Sequence, residues 1–282
     1  MSAARAEGNL RKLVTALPAD GIAQYELPCG DALIPLNPLL GERVRLVYDG
    51  AINCIHCGRK TKKSFNQGYC YPCFKRLAQC DSCIVKPEKC HYHAGTCREP
   101  EWGEVHCMTD HIVYLANTSG LKVGITRATQ VPTRWIDQGA TEALPVFRVP
   151  TRLASGLVEV IFAGHVADKT AWQANLKGPG MEFDLAAERD RLTEICQPAL
   201  RRLQDERGLD AVTALDEERA TRIDYPVIEY PQKVKSMTLD KLPEVSGVLR
   251  GIKGQYLIFD TGVINMRKYG GYRLQLTQHR EV

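Results

Sequence analysis

Short apolar stretches broken by turn residues fill both ends of the chain, and helical spacing is confined to its middle. Residues 8–50 read as β-rich: apolar runs at 22–27 and 44–47 are interrupted by Pro28, Gly30, Pro35, Pro38 and Gly41, residue types that end strands and turn the chain. Residues 111–126 read as two strands, HIVYLA and LKVGIT, around the turn NTSG. A short helix is expected after Pro132, over 131–138, and then a strand at 146–149. Residues 153–168 carry Leu157, Val160 or Ile161, and Gly164 at helical spacing, and a longer helix is expected over 185–206. Asp184 caps that helix, Leu185, Leu192, Ile195, Ala199 and Leu203 form its apolar face, and Pro198 should kink or split it. The charged stretch 208–224 reads as a connector. From Tyr225 strand character returns in YPVIEY, GVLRGIKGQYLIFD, GVINMRKY and GYRLQL, with bends at Gly254, Gly262, Gly270 and Gly271. Gly8-Asn9-Leu10-Arg11 echoes Gly247-Val248-Leu249-Arg250, so both ends are expected to belong to one small barrel-like module.

These elements predict an α+β chain of five parts: a β-rich N-terminal module (1–50), a zinc-binding region of ribbon modules (51–107), a small mixed α/β core (108–178), a helical connector (179–224) and a β-rich C-terminal module (225–282). A length of 282 residues suits two or three small domains. No apolar run approaches the roughly 20 residues that span a bilayer, so no membrane is expected. The start, MSAARAEGNLRKL, lacks an apolar signal core. Together these predict a reducing, cytoplasmic setting, where paired cysteines read as metal ligands rather than bridges.

The cysteines change the picture most. Nine of the eleven lie between Cys54 and Cys107, with five of the seven histidines between His56 and His111. Cys54-x2-Cys57 and Cys70-x2-Cys73 are separated by twelve residues, the spacing at which two thiolate turns complete a tetrahedron around Zn²⁺. Buried free thiols explain this spacing less well, because two CxxC pairs at ribbon spacing rarely arise for packing alone, and a redox dithiol lacks the βαβ context of a thioredoxin-like motif. Cys80, Cys83, Cys90 and Cys97 form the preferred set for a second zinc, with His91 or His93 as a substitute fourth ligand. Cys107, His106 and His111 read as packing or site residues. Cys29 and Cys196 read as buried apolar thiols. Four protein ligands leave no open position, so one or two structural zinc ions are expected rather than zinc hydrolase chemistry.

The net charge of +4 is mild, but its distribution is one-sided. No acidic residue lies between positions 54 and 80, while Arg59, Lys60, Lys62, Lys63, Lys75 and Arg76 do. Phe65, Tyr69, Tyr71 and Phe74 are interleaved. Cations engage phosphate, and rings stack on unpaired bases, so this loop is expected to contact nucleic acid, DNA or RNA undecided. The competing reading is charge compensation: four thiolates on one zinc carry a net charge of −2.

The segment HIVYLANTSGLKVGITRATQVPTRWIDQGA resembles the opening of the GIY-YIG endonuclease superfamily, closest to its phage-type branch. Ile112-Val113-Tyr114 matches the first motif and Lys122-Val123-Gly124 the second. Arg134 stands where the family carries an arginine on the following helix, Glu159 matches the helical glutamate, and Asn175 a late asparagine. The resemblance covers 111–177 and implies phosphodiester hydrolysis, with Mg²⁺ held by Glu159, water activated with help from Tyr114, and phosphate charge met by Arg134; Arg127 would add a second phosphate contact. Lys122 replaces the second-motif tyrosine, a departure that favours phosphate binding over cleavage. CGRKTKKSFNQGYCYPC, GTCREPEWGE and KVGITR…TRWIDQGA also resemble an uncharacterised bacterial family of unknown function. Two functions follow as expectations: a zinc-containing nucleic-acid-binding protein with a GIY-YIG-like site, or a non-catalytic zinc adaptor that docks a protein or ribonucleoprotein partner.

Overall fold

The computed structural model describes residues 4–166, 172–207 and 212–279. The first strands are β1 (Ala4–Asn9), β2 (Val14–Ala16), β3 (Gln24–Cys29), β4 (Ala32–Pro35) and β5 (Arg43–Ile52). The cysteine region holds two short helices, α1 (Tyr71–Arg76) and α2 (Pro100–Cys107). Then come β6 (His111–Asn117), β7 (Leu121–Arg127), α3 (Thr133–Asp137), β8 (Glu142–Val149), α4 (Arg152–Ala163), α5 (Trp172–Asn175) and α6 (Leu185–Arg207). The chain closes with β9 (Thr213–Ala214), β10 (Thr221–Arg222), β11 (Glu244–Lys253), β12 (Tyr256–Phe259), β13 (Gly262–Asn265) and β14 (Tyr272–His279).

The two ends share a six-stranded sheet in the order β1-β14-β5-β11-β12-β13. Each end contributes a strand, a hairpin, a 3-10 turn (Asn37–Leu39 or Met266–Tyr269) and a final strand. The final strands β5 and β14 pair with each other, and each also pairs with the first strand of the other end. The residues that echo in sequence occupy matching places. Leu10 exchanges backbone bonds with Gly271 and Tyr272 (2.8 Å each), and Leu249 with Gly41 and Glu42 (2.8 and 3.0 Å). Both leucines are fully buried.

The expected barrel does not close among the described residues. Each outer strand is met by another segment instead: β13 by Ser236, which bridges Val263, and β1 by β3, where Gly8 lies flat on Gly30 and Leu10 bridges Cys29. With both edges engaged, no pairing remains to join them.

The central strand of the second sheet is β6, flanked antiparallel by β7 and β8. All seven of its residues are buried, and alternate side chains point to opposite faces. Ile112, Tyr114 and Ala116 face the core shared with the terminal sheet, where Trp135 and Ile136 of α3 also lie. Val113 and Leu115 face the core under α4 and α6. Helix α4 starts at Thr151, whose hydroxyl accepts the Ala154 amide proton at 3.1 Å, and buries Ala154, Val158 and Phe162 at four-residue spacing. Val160 points to solvent instead, and the predicted end at Asp168 lies outside the described residues.

Helix α6 is capped by Asp184 as expected, its carboxylate accepting from Ala186 and Ala187 at 3.1 and 3.0 Å. Its inner face is Leu185, Leu192, Cys196 and Leu200, while Ile195 is exposed. Pro198 lies on the wet face inside one continuous helix. The connector positions 208–211 lie outside the described residues. YPVIEY makes no strand; only Val227 bridges, to Gly251 of β11. No described helix is long and apolar enough to cross a membrane.

Candidate metal centre and the adjoining cationic surface

Where β5 ends, Asn53 is anchored on the Gly271 carbonyl at 2.8 Å. The chain then turns tightly: Cys54 donates to the Arg59 carbonyl, and Gly58 to the Cys54 carbonyl, both at 2.9 Å. Gly58 has φ +73°, a left-handed conformation that glycine adopts without strain. The second pair is placed by α1, in which Phe74 donates to the Cys70 carbonyl at 2.9 Å and Pro72 pre-sets the first turn. Between them, Gly68 lets the 65–69 turn close on Ile55, whose Cδ1 would lie 2.6 Å from an added Cβ.

The result is a four-sulfur set: Cys54, Cys57, Cys70 and Cys73 lie within 4.8 Å of one another, and Cys57 Sγ is 3.8 Å from Cys70 Sγ. A tetrahedron with Zn–S bonds of about 2.3 Å has edges of about 3.8 Å. Three sulfurs are buried, and Cys57 is at the rim. Burial works to raise Cys54, but the backbone N–H groups of Cys57, Cys70 and His56 bring its thiol below the ordinary value. The Arg59 N–H, with the neighbouring sulfurs, pulls Cys57 down to about 6. Burial first, then Cys70, Cys57 and Cys54, drive Cys73 up to about 12. This pattern is that of sulfurs crowded around too little positive charge, which a Zn²⁺ held by the four would supply. All eleven cysteines are free thiols.

The other predicted ligands divide. Cys80 packs into the apolar shell of the first set, with Leu77, Tyr69 and Phe74. Cys83, Cys90, Cys97 and His91 line one small cavity, and Cys107 lines it with them. His93 is exposed and meets the Tyr92 ring edge-on.

The loop cations Arg59, Lys60, Lys62, Lys63, Lys75 and Arg76 are all exposed. Arg59 bonds the Cys57 sulfur. Arg76 reaches Glu99 at 3.8 Å and the His56 ring at 3.3 Å. Among the described residues Lys60, Lys62, Lys63 and Lys75 have no ion-pair partner. Lys63 sits 5.4 Å over the Phe65 ring. Tyr69 is half-buried against the sulfurs, whereas Tyr71 is 55% exposed and meets the Phe65 ring edge-on at 5.4 Å.

In the core, Tyr114 stands opposite Gly124 across β6 and β7. A Cβ on Gly124 would lie 2.8 Å from the Tyr114 ring, so only glycine admits it there. Tyr114 is fully buried, edge-on to Trp135. The Gln138 amide satisfies both neighbours when its nitrogen donates to Tyr114 Oη at 3.0 Å and its oxygen accepts from Arg134 at 3.0 and 3.2 Å. Asn175 donates to the Gln138 carbonyl at 3.0 Å. Burial raises Tyr114 to about 12. Burial also raises Glu159, while Lys122, Arg134 and Arg152 pull the other way. Tyr114, Gly124, Arg134 and, through Gln138, Asn175 thus make one contacting group, while Glu159 and Lys122 are linked to it by charge. Arg127 stands apart, at the far end of β7 opposite His111. Gln138 and Arg152 join these sites without being expected, and Cys107, read as a packing or site residue, lines the cavity of the second cysteine set. Cys107 had one usable sign: it lies one helical turn after Gly103, in a helix opened by Pro100.

A family model described as Protein of unknown function (DUF2797) matches residues 41–274. No curated protein and no solved structure matches the chain.

Proposed function

The chain belongs to that family of proteins of unknown function (DUF2797), and from this premise we propose that it is a zinc-containing nucleic-acid-binding protein, its grip the cationic loop folded around Cys54, Cys57, Cys70 and Cys73. One observation carries the reading. Arg59 offsets thiolate charge and Arg76 meets Glu99. Four exposed lysines remain on the loop without an ion-pair partner among the described residues, next to the exposed ring of Tyr71. Charge compensation by itself asks for fewer cations than this. Cations placed for phosphate beside a ring placed for a base fit a single-stranded or irregular target.

The strand-hairpin-helix unit from β6 to α4 supports the GIY-YIG-like reading through the pairing of Tyr114 with Gly124 and the convergence of Arg134 and Glu159. It supports phosphate binding more than cleavage. Magnesium wants several oxygen ligands, and Glu159 instead feels Lys122, Arg134 and Arg152 more strongly than it feels Glu88. These residues do not fit a Mg²⁺ site, and Tyr114 is fully buried with its hydroxyl bonded to Gln138. The same burial favours the second reading, a non-catalytic adaptor for a protein or ribonucleoprotein partner.

A salt series separates the two. Binding to single-stranded DNA or RNA should weaken with a log–log slope of about −0.7 per phosphate contact. Lys62→Glu with Lys63→Glu should flatten that slope by more than one unit and lower affinity at least tenfold. Unchanged affinity in that double variant would remove the loop as the grip, and salt-independent binding would favour the adaptor. Glu159→Ala should leave binding and any background cleavage as they are.

A further inference from the structure

The stretch from Asp81 to α2 has no apolar interior of its own. It is built from three-residue turns (Ser82–Ile84, Pro87–Lys89, Tyr92–Ala94). Its apolar residue Val85 is 79% exposed, as is Val105 of α2 at 67%. What lies inside is largely sulfur: Cys83, Cys90, Cys97 and Cys107, with Asp81, His91 and Arg98, line a single cavity of about 10 Å³, the size of one small guest.

Helix α2 explains how the fourth sulfur arrives. Cys97 Sγ rests over Gly103, where an added Cβ would come within 3.3 Å of it. Cys107 follows one turn later on the same face, and helical Cβ atoms lean toward the N-terminus, which brings its thiol back over Gly103 toward Cys97. A cation marks the place from outside. The Arg152 guanidinium donates to the Cys83 and Ile84 carbonyls at 3.4 and 2.6 Å. Its electrostatic neighbours include Cys107, Cys83 and Cys90, and Glu159 on its own helix also feels its charge. A half-buried cation beside these sulfurs is complementary to the thiolates of a metal site.

We propose that Cys83, Cys90, Cys97 and Cys107 bind a second structural Zn²⁺, separate from the first and independent of the nucleic-acid reading. The spacing of six, six and nine residues makes each ligand a separate turn, so the ion is the core of this segment. Its effect reaches α4: the Pro87–Lys89 turn lies on Gly156, where an added Cβ would be 2.4 Å from the Glu88 nitrogen. The ion therefore sets how that segment seats on the helix that carries Glu159. Cys80 takes no part, because it belongs to the shell of the first set. A rival set exists in Asp81, Cys83 and His91, whose donor atoms lie within 4.8 Å of one another. Asp81 is also paired with Arg98 at 2.6 Å and His91 Nδ1 with Thr96 at 2.8 Å, while His91 Nε2 faces Asp81 at 3.6 Å; the four sulfurs line the same cavity without being drawn as close together as that trio.

Elemental analysis of the purified full chain tests the assignment. Two zinc ions per chain are expected in the wild type and in Cys80→Ser, and one in Cys107→Ser. Cys54→Ser with Cys57→Ser should also keep one, which separates failure of the first site from failure of the second. A single zinc in the wild type overturns the proposal, as does loss of an ion in Cys80→Ser or Asp81→Asn, or retention of both in Cys107→Ser. Should Cys107→Ser not fold, cobalt reconstitution of the wild type decides: two all-sulfur tetrahedral Co²⁺ spectra uphold the proposal, and a second site with nitrogen or oxygen ligands overturns it.

Discussion

Cys57 and His111 show how single side chains report the state of the molecule. With metal removed, Cys57 is the exposed sulfur of its set, and the Arg59 N–H holds its thiol at about 6. At pH 7 it is then mostly thiolate, the nucleophilic form. Iodoacetamide should label Cys57 first in chelated protein and leave it unlabelled in the zinc-loaded chain, as read by peptide mass spectrometry. Cys29 is buried and raised to about 11, and should stay unlabelled in both. Equal labelling of Cys57 with and without metal would contradict the site. His111 is sealed at the start of β6, with Nδ1 bonded to the Thr109 carbonyl at 2.6 Å and no partner at Nε2 among the described residues. Burial lowers it from 6.5 to about 4. Between these values the unfolded chain binds the proton and the folded chain does not, so stability falls as pH drops through that window. The loss amounts to about 3 kcal/mol once pH is below both values. Urea unfolding of wild type and His111→Gln at pH 7 and 4.5 should show the smaller acid loss in the variant. Which cysteines pair with which was legible at this scale only for the first set, where two CxxC turns fix the partners. The second set depends on which face of α2 turns inward, and no local spacing states that.

At the scale of elements, the hairpin of β6 and β7 and the helices α4 and α6 were readable because their signals are local: a turn sequence, a cap, a period. The Asp184 cap is an example. The inner face of α6 was misassigned at Ile195 because only the sheet beneath decides which of two adjacent apolar stripes is covered. The strand expected at YPVIEY failed because Val227 finds only one bridge, to Gly251. Gly124 is where an element depends on a single missing atom. Gly124→Ala drives a methyl into the buried Tyr114 ring and should cost about 1–3 kcal/mol in chemical denaturation. In a Tyr114→Leu background the cost should shrink, since the ring is gone. An equal cost in both backgrounds would show that the contact between the strands is not what requires glycine.

For the whole molecule, the two ends form one sheet through an internal likeness that the sequence shows only in the echo of Leu10 and Leu249. Register across more than 200 residues follows from pairing, not from local pattern, so the openness of that sheet was not legible. The zinc loop stands on this sheet: Asn53 on Gly271, Ser64 on the Gly270 carbonyl at 3.1 Å, and Arg267 bonded to Gln67 at 2.6 Å. A metal bound by the four sulfurs would hold this cationic loop on a rigid floor, and on the proposed reading nucleic-acid affinity should fall together with zinc content when a chelator is titrated in. X-ray absorption at the zinc edge of the purified chain examines that foundation directly. Four sulfur neighbours at about 2.3 Å are predicted; no zinc edge, or a first shell of nitrogen and oxygen, would contradict it.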